Sequence, residues 1–371
     1  MKFSCSQKDI SEALSTVQKA VPSSTPHPIL EGIYIETYLD VLKLRATDTN
    51  ITIETHINAE IIKPGFVIVP SKMFTDIVRK LPDTIINITV TDHRIKIEYH
   101  NSFVNINAIP GDYPEVKTEE VVNILEFKQN EFRKMIQKTV FAASLSDYSR
   151  NELTGVFLEL KENHLTMVCL DGFRLALVKS DLIEQIHDFS AIEDDVIVPA
   201  KTMNELSKIL GHDQESMDIS IGKNHIVFDL GNIRLTSILI SGKFIDYTQV
   251  VHNNYKVCAK IEKDLLYKSL DRATVFSRDD KNNLVEFQLK EDKLMINSYS
   301  EYGDIHDQVP MTLNGEEMEI SFNSRYYMEA LRVIEDNEIR IDFINSHTPC
   351  LMRSLNNESY AYMILPVRTR N

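Results

Sequence analysis

The sequence predicts an α+β fold in which antiparallel sheets, each with two helices, are written three times along 371 residues. Three observations carry this. Alternating apolar strands dominate the chain, a strand–break–helix segment recurs at near-constant spacing, and the length exceeds what one core usually organises.

The recurring segment is "FVIVPSKMFTDIVRKLPD" (Phe66–Asp83), with a counterpart in "DVIVPAKTMNELSKILGHD" (Asp195–Asp213) and a weaker one in "MEISFNSRYYMEALRVIEDN" (Met318–Asn337). Each passes from a short β-rich run through a break at Pro70, Pro199 or Asn323 into about three helical turns. The breaks lie 129 and 124 residues apart, a domain-sized period rather than a solenoid unit. Three homologous domains follow, at 1–122, 123–252 and 253–371.

Within the first domain, "IYIET", "VLKLRAT", "ITIETHIN" and "NITVTDHRIKIEYH" alternate apolar and polar residues as half-buried strands do. A helix opens each repeat, at Gln7–Ala20, Gln129–Ser144 and Glu262–Phe276, and a second follows each break. In the first copy Met73, Phe74, Ile77, Val78 and Leu81 are expected to pack on the sheet. A strand ends in a polar turn in each copy ("LKLRATDTN", "LTMVCLDGF", "LMINSYSEYGD"), and "GDYPEV" is echoed by "IDYTQV". The turn Asp171-Gly172-Phe173-Arg174 sets a carboxylate beside a guanidinium, as a catalytic pair would be. It recurs, however, as Thr47-Asp48-Thr49-Asn50, so the Asp is expected to serve the hairpin in every domain. Gly172, Phe173 and Arg174 belong to the second copy alone.

Net charge is −15, which by itself argues against nucleic acid. The distribution argues the other way. Counted from the break, Lys72 and Arg79, Lys201 and Lys208, and Arg325 and Arg332 all fall at +2 and +9, two helical turns apart and on one face. Lys80 and the opening helices add Arg133, Lys134, Lys138, Lys268 and Arg272, so the helices are basic inside an acidic chain. Helix propensity alone could place single pairs, but it gives no reason for a register held in three copies. Basic faces without an Arg- and Asn-dense recognition helix suit sequence-independent contact with phosphates. Six helices packed side by side in a ring would leave a hole of about 6–9 Å, and twelve a hole of about 21–28 Å. Only the second, built from two chains, admits a DNA duplex.

Other classes find little support. The four cysteines form no CxxC and read as buried free thiols. No apolar run reaches membrane-spanning length and no N-terminal h-region is present, so a cytoplasmic protein without membrane contact is expected. There is no GxxxxGK[ST], HExxH, GxSxG or Gly-rich dinucleotide turn, the histidines lack ligand spacing, and Glu193-Asp194-Asp195 reads as a solvated turn. No catalytic residue, metal or cofactor is expected. An enzyme of another kind, or a three-domain scaffold that binds only proteins, stands as the alternative.

The segments "MKF", "PHPIL", "ATDTN", "VPSKMFTDIVRKLP", "LDGFRLA", "VIVPAK", "GKFIDYTQV" and "MILPVR", in this order, are similar to those of the bacterial DNA sliding clamps, the beta subunits of DNA polymerase III. The resemblance spans the whole chain. It implies a head-to-tail homodimeric ring around double-stranded DNA, with no catalysis of its own. It also implies a groove between the second and third domains for short linear peptides of the replicative polymerase, the clamp loader and repair polymerases. The matching groove positions are Leu153, Leu170, Gly172, Phe173, Arg174, Leu175, Ile245, Val250, Asn323, Tyr326, Met363, Leu365, Pro366, Val367 and Arg368. Arg150 joins the DNA-facing set, and Val275 and Phe276 are expected at the dimer contact. Phe173, Ile245 and Gln249 stand where relatives commonly carry His, Pro and Arg, which implies a greasier, less basic rim.

Overall fold

The computed structural model describes residues 1–115, 123–145, 150–161, 164–181, 184–185, 196–249, 251, 255–278, 283–355 and 359–368. Its helices are α1 (Gln7–Val17), α2 (Ser71–Lys80), α3 (Gln129–Thr139), α4 (Ala200–Ser207), α5 (Lys263–Ser277) and α6 (Ser324–Val333). α1 and α3 each run on into a single 3₁₀ turn, Gln18–Ala20 and Val140–Ala142. α2 and α4 begin directly after Pro70 and Pro199, where proline's missing N–H ends the strand ladder and costs the helix nothing. α6 has Asn323 in that place, whose Oδ1 accepts from Arg325 N–H at 3.0 Å.

All strand pairing is antiparallel, and the chain forms two compact units that divide within the second repeat. The first unit comprises 1–131, 183–193 and 204–239, the second 132–182, 194–203 and 240–371. In the first, Lys2–Ser6 lies between Glu60–Lys63 and Ile85–Thr91 in a five-stranded sheet ending at Ser102–Asn107. A second sheet joins the repeats, because Ile51–Asn58 pairs with Ile233–Ile238 (Ile53 opposite Leu235). The second unit repeats the device: Arg174–Asp181 pairs with Tyr360–Ile364, Leu175 opposite Met363. Compactness therefore follows the sheets, which cross the boundaries between sequence repeats.

α1 packs on α2 and on strand Ile51–Asn58, burying Ile10, Leu14 and Val17. α2 departs from expectation. It buries Phe74, Thr75 and Val78, half-buries Ile77, and leaves Met73 60% exposed, since seven residues at 100° each bring Met73 into line with the exposed Lys80. The turns also differ between copies. Asp48 Oδ1 accepts from Asn50 and Ile51 N–H at 3.0 and 2.9 Å, and Asp171 Oδ1 from Phe173 and Arg174 N–H at 2.9 and 3.2 Å. In the third copy the acceptor is not an Asp but Ser300, whose Oγ takes the Tyr302 N–H at 3.2 Å. A short hydroxyl does the same work of bonding the backbone two residues on. The cysteines are free, with Cys5, Cys169 and Cys350 buried and Cys258 half-buried.

Phe74→Ala should destabilise the fold by about 3–5 kcal/mol, as emptying an aromatic core position does. Met73→Ala should stay within about 0.5 kcal/mol. Urea titration of the two variants checks which face of α2 is buried.

Candidate functional site

In the second unit, strands His164–Leu170 and Arg174–Asp181 form a hairpin whose turn is Asp171-Gly172-Phe173, with Gly172 at φ +95°. Left-handed backbone there favours glycine. Tyr360–Ile364 continues the sheet, and the chain then bends so that Leu365 N–H donates to Phe173 O at 2.8 Å. Strand alternation sorts the side chains. Leu170, Leu175, Leu177, Ala361 and Met363 share one face, where they join Leu153, Phe157, Val168, Ile197, Phe244, Tyr247 and Leu351 in a single apolar cluster with Leu365 packed at its edge. Phe173 stands 61% exposed beside it.

Arg174, one residue before Leu175, falls on the opposite face. Adjacent strand residues point to opposite faces, so the two groove positions named from the sequence are set apart here. Arg174 is 7% exposed and lies beneath the turn. Its Nε donates to Asp171 Oδ2 at 3.0 Å, its Nη2 to Phe141 O at 2.6 Å, and its Nη1 to Glu329 Oε2. The guanidinium carbon sits 4.4 Å from the centre of the Tyr326 ring. Burial pushes toward loss of the proton, but Tyr362, Glu329 and Asp171 outweigh it and hold the guanidinium more firmly charged than usual. Burial raises the Tyr326 hydroxyl, with Asp171 adding to it.

Other expected groove residues are spread further. Leu153 enters the cluster from the 3₁₀ turn Asn151–Thr154. Ile245 is 37% exposed and outside the cluster, and Asn323 caps α6. Pro366, Val367 and Arg368 turn away to line a separate cavity of ≈ 670 Å³ with Phe287, Ile320 and His347, and Val367 N–H donates to Ser321 O at 2.8 Å. Val250 lies outside the described residues. A cavity of ≈ 440 Å³ opens beside Met363 and Leu351, lined also by Gln249, Tyr255, Ile344 and Pro349.

Sequence reasoning missed the aromatic floor. Phe157 and Phe244 stack at 4.6 Å with 3° between planes, and Tyr247 meets Phe157 edge-on at 6.2 Å. Tyr247 Oη donates to the buried Glu159 Oε2 at 2.6 Å. The echo of "GDYPEV" in "IDYTQV" was the available signal: Tyr113 of the first copy is also buried and bonded through its hydroxyl, there to backbone, donating to Gly32 O at 3.1 Å and accepting from Thr47 N–H at 3.2 Å.

The first unit holds the same backbone with different chemistry. Ile238 N–H donates to Asn50 O at 2.9 Å, matching the Leu365–Phe173 bond, and Thr49 has φ +78° where Gly172 has +95°. By strand register Thr47, Thr52 and Thr236 occupy the places of Leu170, Leu175 and Met363, and Ile51 that of Arg174. The resulting cavity of ≈ 250 Å³ is hydroxyl-lined, with Thr47 Oγ1 donating to Ile51 O at 3.0 Å. At the matching positions of the second unit, among the described residues, the side chains are apolar.

The six residues of the three basic pairs, Lys72, Arg79, Lys201, Lys208, Arg325 and Arg332, are all exposed, as are Lys80, Lys134, Arg150, Lys268 and Arg272. Arg133 and Lys138 are half-buried on α3. Arg272 pairs with Asp307, Lys134 with Glu335 at 3.5 Å, and Arg332 Nε donates to Tyr267 Oη at 3.2 Å. A further register had gone unread: each second helix carries a carboxylate at +6 from the break, Asp76, Glu205 and Glu329. The first two pair with the +9 cation, Asp76–Arg79 at 2.6 Å and Glu205–Lys208 at 2.7 Å. The third pairs with the +2 cation, Arg325, at 3.0 Å. Val275 is 61% exposed on α5 and Phe276 half-buried.

Comparison with known proteins places this geometry in context. The three domain families of the DNA polymerase III beta subunit match in order: the N-terminal domain over residues 1–117, the central domain over 126–246 and the C-terminal domain over 248–368. The beta sliding clamp of Bacillus subtilis is 32% identical over 383 residues, covering 100% of both chains. The crystal structure of the DNA polymerase sliding clamp from the same organism superposes with a TM-score of 0.93 at 32% identity, again over 100% of both. A DNA polymerase III beta subunit from Pseudomonas aeruginosa bound to griselimycin gives a TM-score of 0.93 at 26% identity over 100% of both.

Asp171→Asn keeps an acceptor for the Phe173 and Arg174 amides, whereas Asp171→Ala removes it. Hydrogen exchange of those amides should quicken about fivefold more in the alanine variant, the worth of one ordinary hydrogen bond. Equal exchange in both variants would show that the charge, not the acceptor, holds the turn.

Proposed function

Since the chain belongs to the family of bacterial DNA polymerase III beta subunits, the beta sliding clamps, we propose that it is a processivity factor that encircles duplex DNA and tethers polymerases to it. The observation that carries this is the exposure of a basic pair at the same two positions of three helices, in a chain whose net charge is −15. Such faces hold phosphates without reading bases, so the contact is weak, salt-sensitive and free to slide. Retention then comes from topology, and the protein carries out no chemistry of its own.

A ring needs a second chain. Strand Ser102–Asn107 ends its sheet with Phe103 59% exposed, and Val275 stands exposed in the third repeat. A sheet edge left open in this way invites another strand. Joining the first repeat of one chain to the third of its partner, twice, closes a twofold ring. The apolar trough of Leu170, Leu175, Met363 and Leu365, rimmed by Phe173, suits a short peptide with aliphatic and aromatic anchors from the replicative polymerase, the clamp loader or repair polymerases. Arg174 supports the rim from below. A protein that works on DNA is expected in the cytoplasm of a bacterium; among the described residues no helix is long and apolar enough to cross a membrane.

Loaded by a clamp loader on nicked circular DNA, the protein should co-elute with the circle and be lost when the circle is linearised. The triple variant Lys72→Glu, Lys201→Glu, Arg325→Glu should load poorly. Equal retention on both forms of DNA rejects encirclement. For the trough, Leu365→Ala should weaken binding of a fluorescent polymerase-tail peptide about tenfold while the dimer persists, as loss of a central anchor does. Unchanged anisotropy titrations would reject the trough as the docking site.

A further inference from the structure

Glu329 occupies an unusual position. Its side chain is 19% exposed, and its two oxygens serve two different cations. Oε2 accepts from Nη1 of the buried Arg174, while Oε1 accepts from Nε of Arg325 at 3.0 Å, whose side chain is 68% exposed. Arg174 supports the turn that carries Phe173. Arg325 is the +2 member of the basic pair on α6. One carboxylate thus joins the underside of the peptide trough to the phosphate-facing side of the helix.

Neither of the other second helices can do this. Asp76 and Glu205 sit at the same +6 position but pair along their own helices, and the residue in the place of Arg174 in the first unit is Ile51, which brings no charge to neutralise. In the second unit a buried guanidinium has to be balanced, because an unpaired buried charge is strongly destabilising. Its acidic partners are Asp171, inside the turn itself, and Glu329. Whatever draws Arg325 away from Glu329 removes a competing cation and leaves the carboxylate to Arg174.

Resting on the function proposed above, we propose that Glu329 is a shared counter-ion coupling the two binding surfaces. A phosphate polyanion at Arg325 releases Glu329 to Arg174, firms the Asp171–Arg174 turn and so raises the affinity of the trough for an apolar peptide. The turn is the element with two arrangements, firm or loosened, and the peptide binds the firm one. Reciprocity requires that bound peptide raise the affinity for the polyanion by the same factor. Arg325–Glu329 is an exposed pair one helical turn apart, so the effect is about twofold.

The test uses the dimeric protein, a fluorescein-labelled peptide with leucine and phenylalanine anchors, and a short blunt duplex that enters the ring without loading. At low salt the duplex should tighten peptide binding about twofold in the wild type. Arg325→Gln, a surface change that leaves the fold intact, should bind peptide as tightly without duplex as the wild type does with it, and should not respond further. Glu329→Gln should bind peptide more weakly and lose the response. Lys290→Gln removes a charge outside the basic pairs, where Lys290 meets Glu317 at 3.0 Å, and should keep the response. Peptide and duplex that bind the wild type without affecting each other overturn the coupling alone. A response that survives in both Arg325→Gln and Glu329→Gln also overturns it. A wild type that binds no peptide overturns the docking trough, and this proposal with it.

Discussion

An antiparallel sheet that stops in water leaves a row of amides and carbonyls without partners, and pairing strands across the repeat boundaries removes two such edges. The second repeat lends a strand to the sheet of the first, Ile233–Ile238 beside Ile51–Asn58, and the third to that of the second, Tyr360–Ile364 beside Arg174–Asp181. Every joint brings the end of one repeat against a hairpin turn of the one before, which is how Leu365 comes to bond Phe173 and Ile238 to bond Asn50. The apolar cluster beside Phe173 thus follows from the joining of sheets.

The two joints share a backbone and diverge in side chains. Three threonines line the first, with Thr52 Oγ1 donating to Thr47 Oγ1 at 2.8 Å and Thr47 Oγ1 to Ile51 O at 3.0 Å. Leucine and methionine line the second, over an aromatic floor of Phe157, Phe244 and Tyr247. An apolar peptide gains from covering the second and would have to displace satisfied polar groups at the first. Arg174 adds a cost that the first joint never meets: its charge is buried, and the structure answers with carboxylates from the turn and from α6. That answer ties the trough to a helix whose outer face is basic.

Electrostatics elsewhere is sparing. Exposed pairs such as Asp76–Arg79 and Glu205–Lys208 contribute little to stability. Their effect is to hold long basic side chains near their helices. The chain as a whole is acidic, at net −15, while the second helices carry the exposed basic pairs.

The sequence by itself determined the repeat, the six helices, the registers at +2 and +9, and the turn aspartates of the first two copies, because these depend on period and local backbone chemistry. Leu170, Leu175, Met363 and Leu365 were legible as apolar positions matching a known family. The partner of each strand across the repeat boundary was not legible, because pairing joins residues as far apart as Leu175 and Met363. Strand alternation set Arg174 on the face opposite Leu175 once that sheet existed. It also fixed what Pro366 to Arg368 line and which cation Glu329 meets. Only the tertiary structure decided those contacts, since the energy of a buried charge or an apolar trough depends on what surrounds it in space, not on its neighbours along the chain.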